Sequence, residues 1–571
     1  MGLPTPFTDE EIERTRDELL AEGGPFTTMP MTIRGVEYDN VFALSSASLR
    51  DFFAFRAFEH GAKDFLVYGD DRYTVQETWH RAMRFAHWLV EERGIKPTDR
   101  VAIAMRNYPE WVFAFFGIVA TGATVVPMNA WWQTEELEDG LRRAGVTHVV
   151  VDDKRAKAIK PFKEKYGITL IGAREKVADA DFMMEDVITD EKWPNTPPAA
   201  EIDPDSDFCL MYTSGSTGFP KGVLLTQRSA VNAVLSWSFL STLGQRLRPD
   251  YPFMPENPAV LIALPFFHVT ALHSTLILSL LLGRKNVLMY RWDAEEAIEL
   301  IKREEVTNFV GVPTMAHELV DVAKPEDLST VVDIITGGAK RPSTQVREQK
   351  TKLPEVGVSS GYGLTETNAL VAHIGMQDYI DRPDSAGRAI PPINEIEVFS
   401  EDGKQLPRGS EGEICVKSPV TFRAYLDDEE ATAKAFHPGG WFRTGDIGVL
   451  DERGFITILD RAKDIILRGG ENIACLEVEN MLVSHPSVDE ACVFAVPDEH
   501  YGEIVGAVLY SRTKEIDPQA VRDHVKQHIA AFKVPERIWV SPRELPRGAT
   551  GKTDKRMIKQ VAMTVPATFS A

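Results

Sequence analysis

From residue 100 onward, short apolar runs alternate with segments of helical periodicity. The pattern predicts strands at residues 101–105, 124–126 and 147–151, and helices at 108–121 and 134–144. Gly122 and Gly145 follow the two helices, at the position where a left-handed residue often ends a helix. The same alternation returns at residues 260–264, 294–303, 309–312 and 332–336. Repeated strand–helix–strand units with short connections predict parallel sheets covered by helices.

Beyond residue 392 the pattern changes to short strands with turns at Asp402-Gly403 and Arg453-Gly454, which is typical of a distorted β region. After residue 460 we expect a compact α+β unit. Its predicted elements are strands at 465–467, 491–496 and 504–510 and helices at 476–484 and 518–530. At 571 residues the chain is too long for one core. It is predicted to divide into an N-terminal domain at 1–459, a hinge at 460–463 and a C-terminal domain at 464–571.

Composition excludes some classes of function. The net charge of −22 argues against nucleic-acid binding, which needs a basic surface to displace counterions. Four cysteines without metal-ligand spacing predict reduced, buried thiols in a cytoplasmic protein: Cys209, Cys415, Cys475 and Cys492. Pro265, His268 and His273 interrupt the apolar stretch 259–283, so we expect buried core there and no integral membrane segment. Peripheral membrane contact is left open.

A loop rich in hydroxyl groups and glycines lies between two apolar runs, at residues 213–223. Its small residues would let backbone N–H groups close around a polyphosphate, and Lys221 adds a positive charge. Because Pro220 precedes that lysine, the segment is not a Walker A loop, and a flexible surface loop is the competing interpretation. The candidate phosphate-binding residues are Thr213, Ser214, Gly215, Ser216, Thr217, Gly218 and Lys221.

Residues 361–367, Gly-Tyr-Gly-Leu-Thr-Glu-Thr, combine close-approach glycines with an aromatic ring, a hydroxyl and a carboxylate. Such a set can stack a base, contact a phosphate and hold Mg²⁺ through oxygen, although an ordinary turn has the same composition. Asp446, in the segment Thr-Gly-Asp, is suited to accept hydrogen bonds from the two hydroxyls of a ribose. Turns of this kind are also common without a ligand.

Three further candidates carry less information when each is taken alone. Arg461 lies beside the predicted hinge, where a charged residue is usually only solvated. Lys552 ends a glycine-containing loop at residues 546–552. His268, within Pro-Phe-Phe-His, has an apolar setting in which a histidine more often packs in the core than takes part in chemistry.

Taken in order, these six segments resemble the adenylate-forming superfamily, which contains acyl- and aryl-CoA synthetases, adenylation domains of peptide synthetases and firefly-type luciferases. The resemblance covers nearly the whole chain from about residue 50. It implies an α/β fold of several domains. Two α/β subdomains and a distorted β subdomain would form the large N-terminal domain, and a small, mobile α+β lid would follow.

The resemblance also implies roles for individual residues. Residues 213–221 would hold the β and γ phosphates of ATP, and Thr217 and Glu366 would bind Mg²⁺. Asp446 and Arg461 would hold the ribose. The other implied assignments are walls for adenine and acid at Phe267, His268, Gly337, Gly338, Ala339, Gly361, Tyr362 and Gly363, a hinge at Lys463, CoA contacts at Gly469 and Gly470, and catalytic groups at His268, Thr365, Glu366 and Lys552.

These roles predict a carboxylate–CoA ligase. A carboxylate that attacks the α phosphate brings two anions together, so Mg²⁺, Lys221 and Lys552 would stabilise the charge. An amino acid is disfavoured as substrate because no carboxylate for its amine lies near His268. A luciferase-like monooxygenase shares every motif and stays open. A binding protein without activity would be expected to lack Lys552, Glu366 or Asp446, and all three are present.

The apolar run from Pro265 to residue 282 resembles fatty acyl-CoA synthetases with a preference for medium or long chains. The small residues around Gly338 and Gly361 would leave a deep slot open. An aryl-acid CoA ligase is the alternative. The expected ligands are therefore a small carboxylic acid, ATP, Mg²⁺ and CoA, and a homodimer is left open.

Overall fold

The structure is a computed structural model that describes residues 7–21, 24–213, 220–461, 464–468, 471–512, 514–548 and 551–570. Within these residues the strands form sheets of two, six, eight and fourteen strands. The large N-terminal part mixes helices with parallel strands, and a small α+β part follows it. The predicted fold class is thereby confirmed.

Helices and strands alternate up to residue 188. In order, they are α1 Asp9–Ala21, β1 Thr28–Ile33, β2 Val36–Phe42, α2 Leu49–His60, β3 Asp64–Tyr68, β4 Asp71–Thr74, α3 Val75–Glu91, β5 Arg100–Ala104, α4 Pro109–Thr121, β6 Thr124–Pro127, α5 Thr134–Ala144, β7 His148–Val151, α6 Asp153–Ile159, β8 Thr169–Gly172, β9 Phe182–Met183 and α7 Met184–Ile188. Gly122 and Gly145 end α4 and α5 in the left-handed conformation, with φ of 83° and 64°, as their positions predict.

The middle of the chain continues the alternation. Its elements are β10 Asp207–Thr213, β11 Lys221–Thr226, α8 Gln227–Leu247, β12 Ala259–Ile262, α9 Val269–Ala271, α10 Leu278–Leu282, β13 Lys285–Leu288, α11 Ala294–Glu304, β14 Asn308–Gly311, α12 Pro313–Val322, β15 Asp333–Gly337, α13 Ser343–Lys352, β16 Gly357–Tyr362, β17 Ala372–Gly375, α14 Met376–Asp381 and β18 Ser385–Ala389. A π-helix, Leu272–Ile277, joins α9 to α10. The apolar stretch 259–283 is therefore a strand and a broken helix. No helix in the described part of the chain is long and apolar enough to cross a membrane.

The last part begins with antiparallel strands. Its elements are β19 Glu395–Phe399, β20 Glu411–Lys417, β21 Ala424–Tyr425, α15 Glu429–Lys434, β22 Phe436–His437, β23 Trp441–Leu450, β24 Ile456–Arg461, β25 Ile466–Arg468, β26 Glu471–Ile473, α16 Cys475–Val483, β27 Glu490–Asp498, β28 Gly502–Tyr510, α17 Pro518–His528, β29 Arg537–Val540, α18 Lys555–Ala562 and β30 Phe569–Ser570. The register shifts between Glu413 and Cys415 and between Ile447 and Gly448, so the β region is distorted as predicted.

Two large sheets form most of the N-terminal part, beside the two-stranded sheet of β1 and β2. The eight-stranded sheet has the order β21-β11-β10-β6-β5-β7-β8-β9. In the large sheet, β13, β12, β14, β15 and β16 are parallel, and β17, β18 and the distorted β strands extend it antiparallel. One hydrophobic cluster joins α3, α4 and α8 to strands of both sheets. Because parallel strands share their direction, β14, β15 and β16 all end at one edge, and the site lies there.

The C-terminal sheet begins after β24. It has the order β26-β25-β28-β29-β30, with β27 paired to β28. The hinge predicted at 460–463 lies between Arg461, the last residue of β24, and Ile466, the first of β25. Its exact position stays a prediction, and Lys463 lies outside the described residues. All four cysteines are buried and unpaired, as their apolar flanks predict.

Candidate active site

A cavity of about 1900 Å³ opens where β14, β15 and β16 end and meet the C-terminal part. Most of the described candidate residues contribute to its surface. These are Thr213, Phe267, His268, Gly337, Gly338, Gly361, Gly363, Thr365, Glu366, Arg461 and Lys552. Lys221, Ala339, Tyr362 and Asp446 are not among the lining residues, and Tyr362 and Asp446 are buried directly behind Arg461.

The candidate ribose site is a buried carboxylate held by two partners. Asp446 in β23 faces Arg461 in β24 across an antiparallel pair, and Arg461 Nε lies 2.7 Å from Asp446 Oδ1. The hydroxyl of Tyr362 donates to Asp446 Oδ2 at 2.7 Å. Burial raises the pKa of Asp446, and the charge of Arg461 opposes that rise. The sequence-predicted pair is thus brought together, with lone pairs of both oxygens left to accept further hydrogen bonds.

Glu366 forms the second carboxylate of the site. It lies in the short 3₁₀-helix Thr365–Thr367, just after β16. The hydroxyl of Tyr425 donates to its Oε1 at 2.9 Å, and the ammonium of Lys221 lies 4.9 Å from the centre of the Tyr425 ring. Burial raises the pKa of Glu366, while Tyr425 and the charge of Lys221 are among the groups that lower it. One carboxylate, one phenol and one cation therefore cluster at the end of the cavity where β11 begins.

The glycine-rich segment connects two paired strands, as predicted. β10 ends at Thr213 and β11 begins at Lys221, and these two residues are register partners in the antiparallel pair. Thr213 and Pro220 line the cavity. Ser214, Gly215, Ser216, Thr217 and Gly218 lie outside the described residues, so their contacts with phosphate stay predictions.

Lys552 enters the cavity from the C-terminal part. Its Nζ and Cε lie 3.3 and 3.1 Å from the point where a Cβ on Gly338 would stand. The residue as a whole is exposed and lines the cavity, whereas its ammonium is close to neighbouring protein atoms. The burial of this ammonium, together with repulsion from Arg461, lowers the pKa of Lys552 to about 8, against the opposing attraction of Asp446. Lys552 therefore places a cation with a lowered pKa inside the cavity, next to Gly338.

His268 forms part of the cavity wall beside Phe267, and the two ring centres are 4.5 Å apart. Burial and the positive charge of Lys552 lower the pKa of His268 to about 3. The imidazole is therefore neutral near pH 7, and its Nε2 has no hydrogen-bond partner in the described part of the chain. It is suited to shape the pocket or to bond a substrate oxygen, and it carries no charge for catalysis.

The glycines of the site serve different purposes. A Cβ on Gly337 would meet only the Gly361 carbonyl oxygen, at 3.4 Å, so this position is open. Gly338 has φ of 77° and lies against Lys552. A Cβ on Gly363 would stand 1.5 Å from the carbonyl oxygen of Ala369, so this glycine is required by the close approach of two backbone segments. Gly363 is therefore explained by this backbone contact and not by the width of the acid slot.

Some groups of the site were not predicted from the sequence. The sequence around Tyr425 does not indicate its role in the site. Tyr425 reaches Glu366 only because the two-residue strand β21 pairs with β11. Asp333 and Ser359 also line the cavity. Conversely, Lys463, Gly469 and Gly470 lie outside the described residues, and their assigned roles stay predictions.

Comparison with known proteins agrees with this geometry. The family model described as AMP-binding enzyme matches residues 53–426, and that described as AMP-binding enzyme C-terminal domain matches residues 477–552. The long-chain-fatty-acid–CoA ligase FadD13 of Mycobacterium tuberculosis is 33% identical over 486 residues, which cover 83% of this chain and 90% of that protein. The 2-succinylbenzoate–CoA ligase of Bacillus licheniformis is 33% identical over 496 residues, with 85% and 94% covered.

A solved structure is also similar. The o-succinylbenzoate CoA synthetase MenE of Bacillus subtilis, in complex with its acyl-adenylate intermediate, superposes with a TM-score of 0.78 at 28% identity, over 92% of this chain and 99% of that one. The chain therefore belongs to the AMP-binding enzyme family, in the CoA-ligase branch of the adenylate-forming superfamily. It is an AMP-forming acid–thiol ligase, and its substrates are a carboxylic acid, ATP and CoA.

The lowered pKa of Lys552 predicts an alkaline limb in the pH profile. An ammonium loses its charge as pH rises through its pKa, so kcat/KM for acid-dependent pyrophosphate release should fall above about pH 8. Lys552→Arg keeps its charge there, so this variant should be slower but should lack the limb. An unchanged wild-type rate well above pH 8 would contradict the assigned burial of the ammonium.

The contrast between the two neighbouring glycines gives a second prediction. Gly338→Ala should lower the rate of adenylation at least about 10-fold, because the methyl group crowds Lys552 and the left-handed backbone is strained for alanine. Gly337→Ala, whose methyl group would meet only the Gly361 carbonyl oxygen at 3.4 Å, is the matched control and should lose much less activity. Equal rates for the two variants, measured by pyrophosphate release, would refute the contact between Gly338 and Lys552.

Proposed function

We propose that this ligase activates medium- or long-chain fatty acids, first as acyl-adenylates and then as CoA thioesters. The observation that carries the proposal is the apolar lining of the cavity between α8 and the strands β14 and β15. Ten of the lining side chains there are aliphatic or aromatic: Trp237, Leu240, Leu243, Leu247, Leu264, Phe267, Leu278, Leu282, Val310 and Ile335. Burying each methylene group contributes about 0.8 kcal/mol, so such a slot favours a long apolar chain.

In the first step the carboxylate of the acid attacks the α phosphate of ATP, a phosphorus–oxygen bond breaks, and pyrophosphate leaves. Lys552 is suited to hold the carboxylate and the α phosphate together, because its ammonium already lies in the cavity beside Gly338. We assign the departing pyrophosphate to the end of the cavity at Thr213. The positive charge of Lys221, the register partner of Thr213, supports this assignment. Thr365, at the cavity surface beside Glu366, is assigned to the α phosphate.

The nucleoside would bind at the distorted β strands. The free lone pairs of Asp446 are suited to accept the ribose hydroxyls, and Arg461, already paired to that carboxylate, would fix its orientation. We assign Tyr362 and Ala339 to the adenine side, Tyr362 through its position behind Asp446. These contacts would hold AMP in place while the acyl group is transferred.

Glu366 fits a Mg²⁺ ion. A carboxylate oxygen is the ligand that Mg²⁺ prefers, and this ion usually takes one or two carboxylates together with substrate phosphates. Glu366 opens on the cavity while its Oε1 is fixed by Tyr425. Mg²⁺ held there would supply positive charge to the phosphates. Thr217, the second assigned ligand, lies outside the described residues.

In the second step the sulfur of CoA attacks the acyl carbon, and AMP leaves as the thioester forms. Lys552 occupies the cavity in this structure, so the C-terminal part would rotate about residues 460–463 to admit the thiol past Gly469 and Gly470. Two long ion pairs link the C-terminal part to the N-terminal part: Arg512 lies 3.9 Å from Glu318 and 3.8 Å from Asp321. Such partly exposed pairs contribute roughly 1 kcal/mol or less, so they do not oppose rotation.

An aryl-acid CoA ligase is the second candidate. The relative from Bacillus licheniformis is named for a substituted benzoate, and the ring of Phe267 packs at 5.2 Å against Trp131 at the cavity wall. The deciding experiment measures ATP- and CoA-dependent AMP release over a panel of saturated fatty acids and benzoate or cinnamate derivatives. Preferred turnover of the fatty acids supports the proposal, and preferred turnover of the aromatic acids replaces it by this alternative.

The assignment of Lys552 to one step predicts different losses in the two half-reactions. Lys552→Ala should lower adenylation at least about 100-fold, since it removes the charge that stabilises the transition state, while transfer from a supplied acyl-adenylate to CoA stays near the wild-type rate. Lys526→Ala, at an exposed position on α17, is the control and should leave both steps unchanged. Equal loss in both half-reactions would refute a role confined to the first.

A further inference from the structure

The register of four strands arranges the floor of the acid slot in rows. Nearest Lys552, Gly337, Gly361 and His373 stand side by side. The next row contains Val310, Ile335, Ser359 and Gly375. The deepest row is Asn308, Asp333 and Gly357. Asn308, Asp333 and Ser359 therefore form a polar patch at the deep end of the slot, and all three line the cavity.

Two groups of this patch have unused hydrogen-bonding capacity. The Asp333 side chain is 7% exposed and Ser359 is 1% exposed. Neither Asp333 Oδ1 nor Ser359 Oγ has a hydrogen-bond partner in the part of the chain that the structure describes. Buried polar atoms are normally paired, because an unpaired one loses its hydration without compensation. A ligand group or a water molecule has to meet them.

The surroundings leave the carboxyl group of Asp333 without a strong partner. Burial raises its pKa to about 7, and Ser359, although near enough to lower the pKa somewhat, forms no hydrogen bond of normal geometry with Oδ1. Arg341 acts on it only through its charge, and that guanidinium donates to Gln349 at 2.8 Å. The hydroxyl of Tyr251 donates to the carbonyl oxygen of Val332 at 2.9 Å, and so it is not the partner of Asp333.

The patch lies far from the reacting carboxylate. Asp333 and Gly337 are four residues apart on β15 and point to the same face, and a strand rises about 3.3 Å per residue. The patch is thus about 13 Å from the end of the slot where Lys552 crosses Gly338. A hydroxyl close to the carboxylate of an acid cannot reach it.

We propose that Asp333 and Ser359 form a specificity subsite that selects acids carrying a hydroxyl group at the far end of an otherwise apolar body. The hydroxyl would donate to Asp333 Oδ1 and accept from Ser359 Oγ, and both buried atoms would then be paired. A plain fatty acid places a methyl group against them instead. This inference rests on the proposed function, because it assumes that the apolar slot holds the acid.

The test compares matched acids. Purified enzyme is assayed by CoA-dependent AMP release with dodecanoic acid, 12-hydroxydodecanoic acid and 3-hydroxydodecanoic acid. We expect kcat/KM for the 12-hydroxy acid to exceed that for dodecanoic acid at least about 10-fold, because the unsubstituted acid leaves buried polar groups unpaired. The 3-hydroxy acid should gain nothing over dodecanoic acid.

Substitutions locate the effect. Asp333→Val should reverse the preference in favour of dodecanoic acid, and Asp333→Asn, which keeps an acceptor oxygen, should retain part of it. Ser359→Ala should lower the preference for the 12-hydroxy acid. Ile335→Val, which lies beside Ser359 and two residues beyond Asp333 on the same strand face, is the control and should change kcat/KM for both acids by the same factor. Thermal unfolding of each variant checks that it is folded.

Three outcomes overturn the inference: no preference for the 12-hydroxy acid, an equal gain with the 3-hydroxy acid, or a preference that folded Asp333→Val retains. An absence of preference would mean that water pairs with Asp333 Oδ1 and Ser359 Oγ in place of a substrate hydroxyl. Failure of the proposed function has a different signature, because the wild-type enzyme would then turn over none of these acids while it accepts an aromatic one.

Discussion

The catalytic end of the cavity depends on one contact, the passage of the Lys552 side chain over Gly338. Lys552 belongs to the C-terminal part and Gly338 directly follows β15, and only about 3 Å separates the lysine from the place of a missing Cβ. Two properties follow from this contact. The C-terminal part reaches the edge of the sheet where β15 ends, and a side chain at position 338 would crowd the lysine.

Asp446 and Glu366 are each held by a hydrogen bond from a tyrosine hydroxyl. Tyr362 donates to Asp446, and Tyr425 donates to Glu366. In both cases burial raises the pKa of the carboxyl group and a nearby cation opposes the rise. The tyrosines fix the orientation of each carboxylate before any substrate binds. Such preorganised charge costs no reorganisation during the reaction.

Local patterns were enough to predict much of the fold. The helix Thr134–Ala144 has the predicted bounds, because its apolar stripe and the glycine that ends it are both local features. The site was harder to predict, since its members meet only through sheet register. Lys221 and Arg461 could be chosen from motifs, but nothing near residue 425 indicates that Tyr425 reaches Glu366. Asp333 likewise resembles any polar residue at a strand start until β14 and β16 are aligned beside it.

The two ends of the cavity pose opposite physical problems. At the Lys552 end every acid presents the same carboxylate, so fixed charge suffices and discrimination is small. At the opposite end, around Asp333 and Ser359, no bond is made or broken. Selection there depends on whether the acid offers hydrogen-bond partners to these buried polar groups. Asp333 and Ser359 make that condition strict, because a missing hydrogen bond in a dry site costs more than a missing methylene contact. Choice of substrate can therefore change through one or two side chains on β15 and β16 without disturbing the groups that activate the acid.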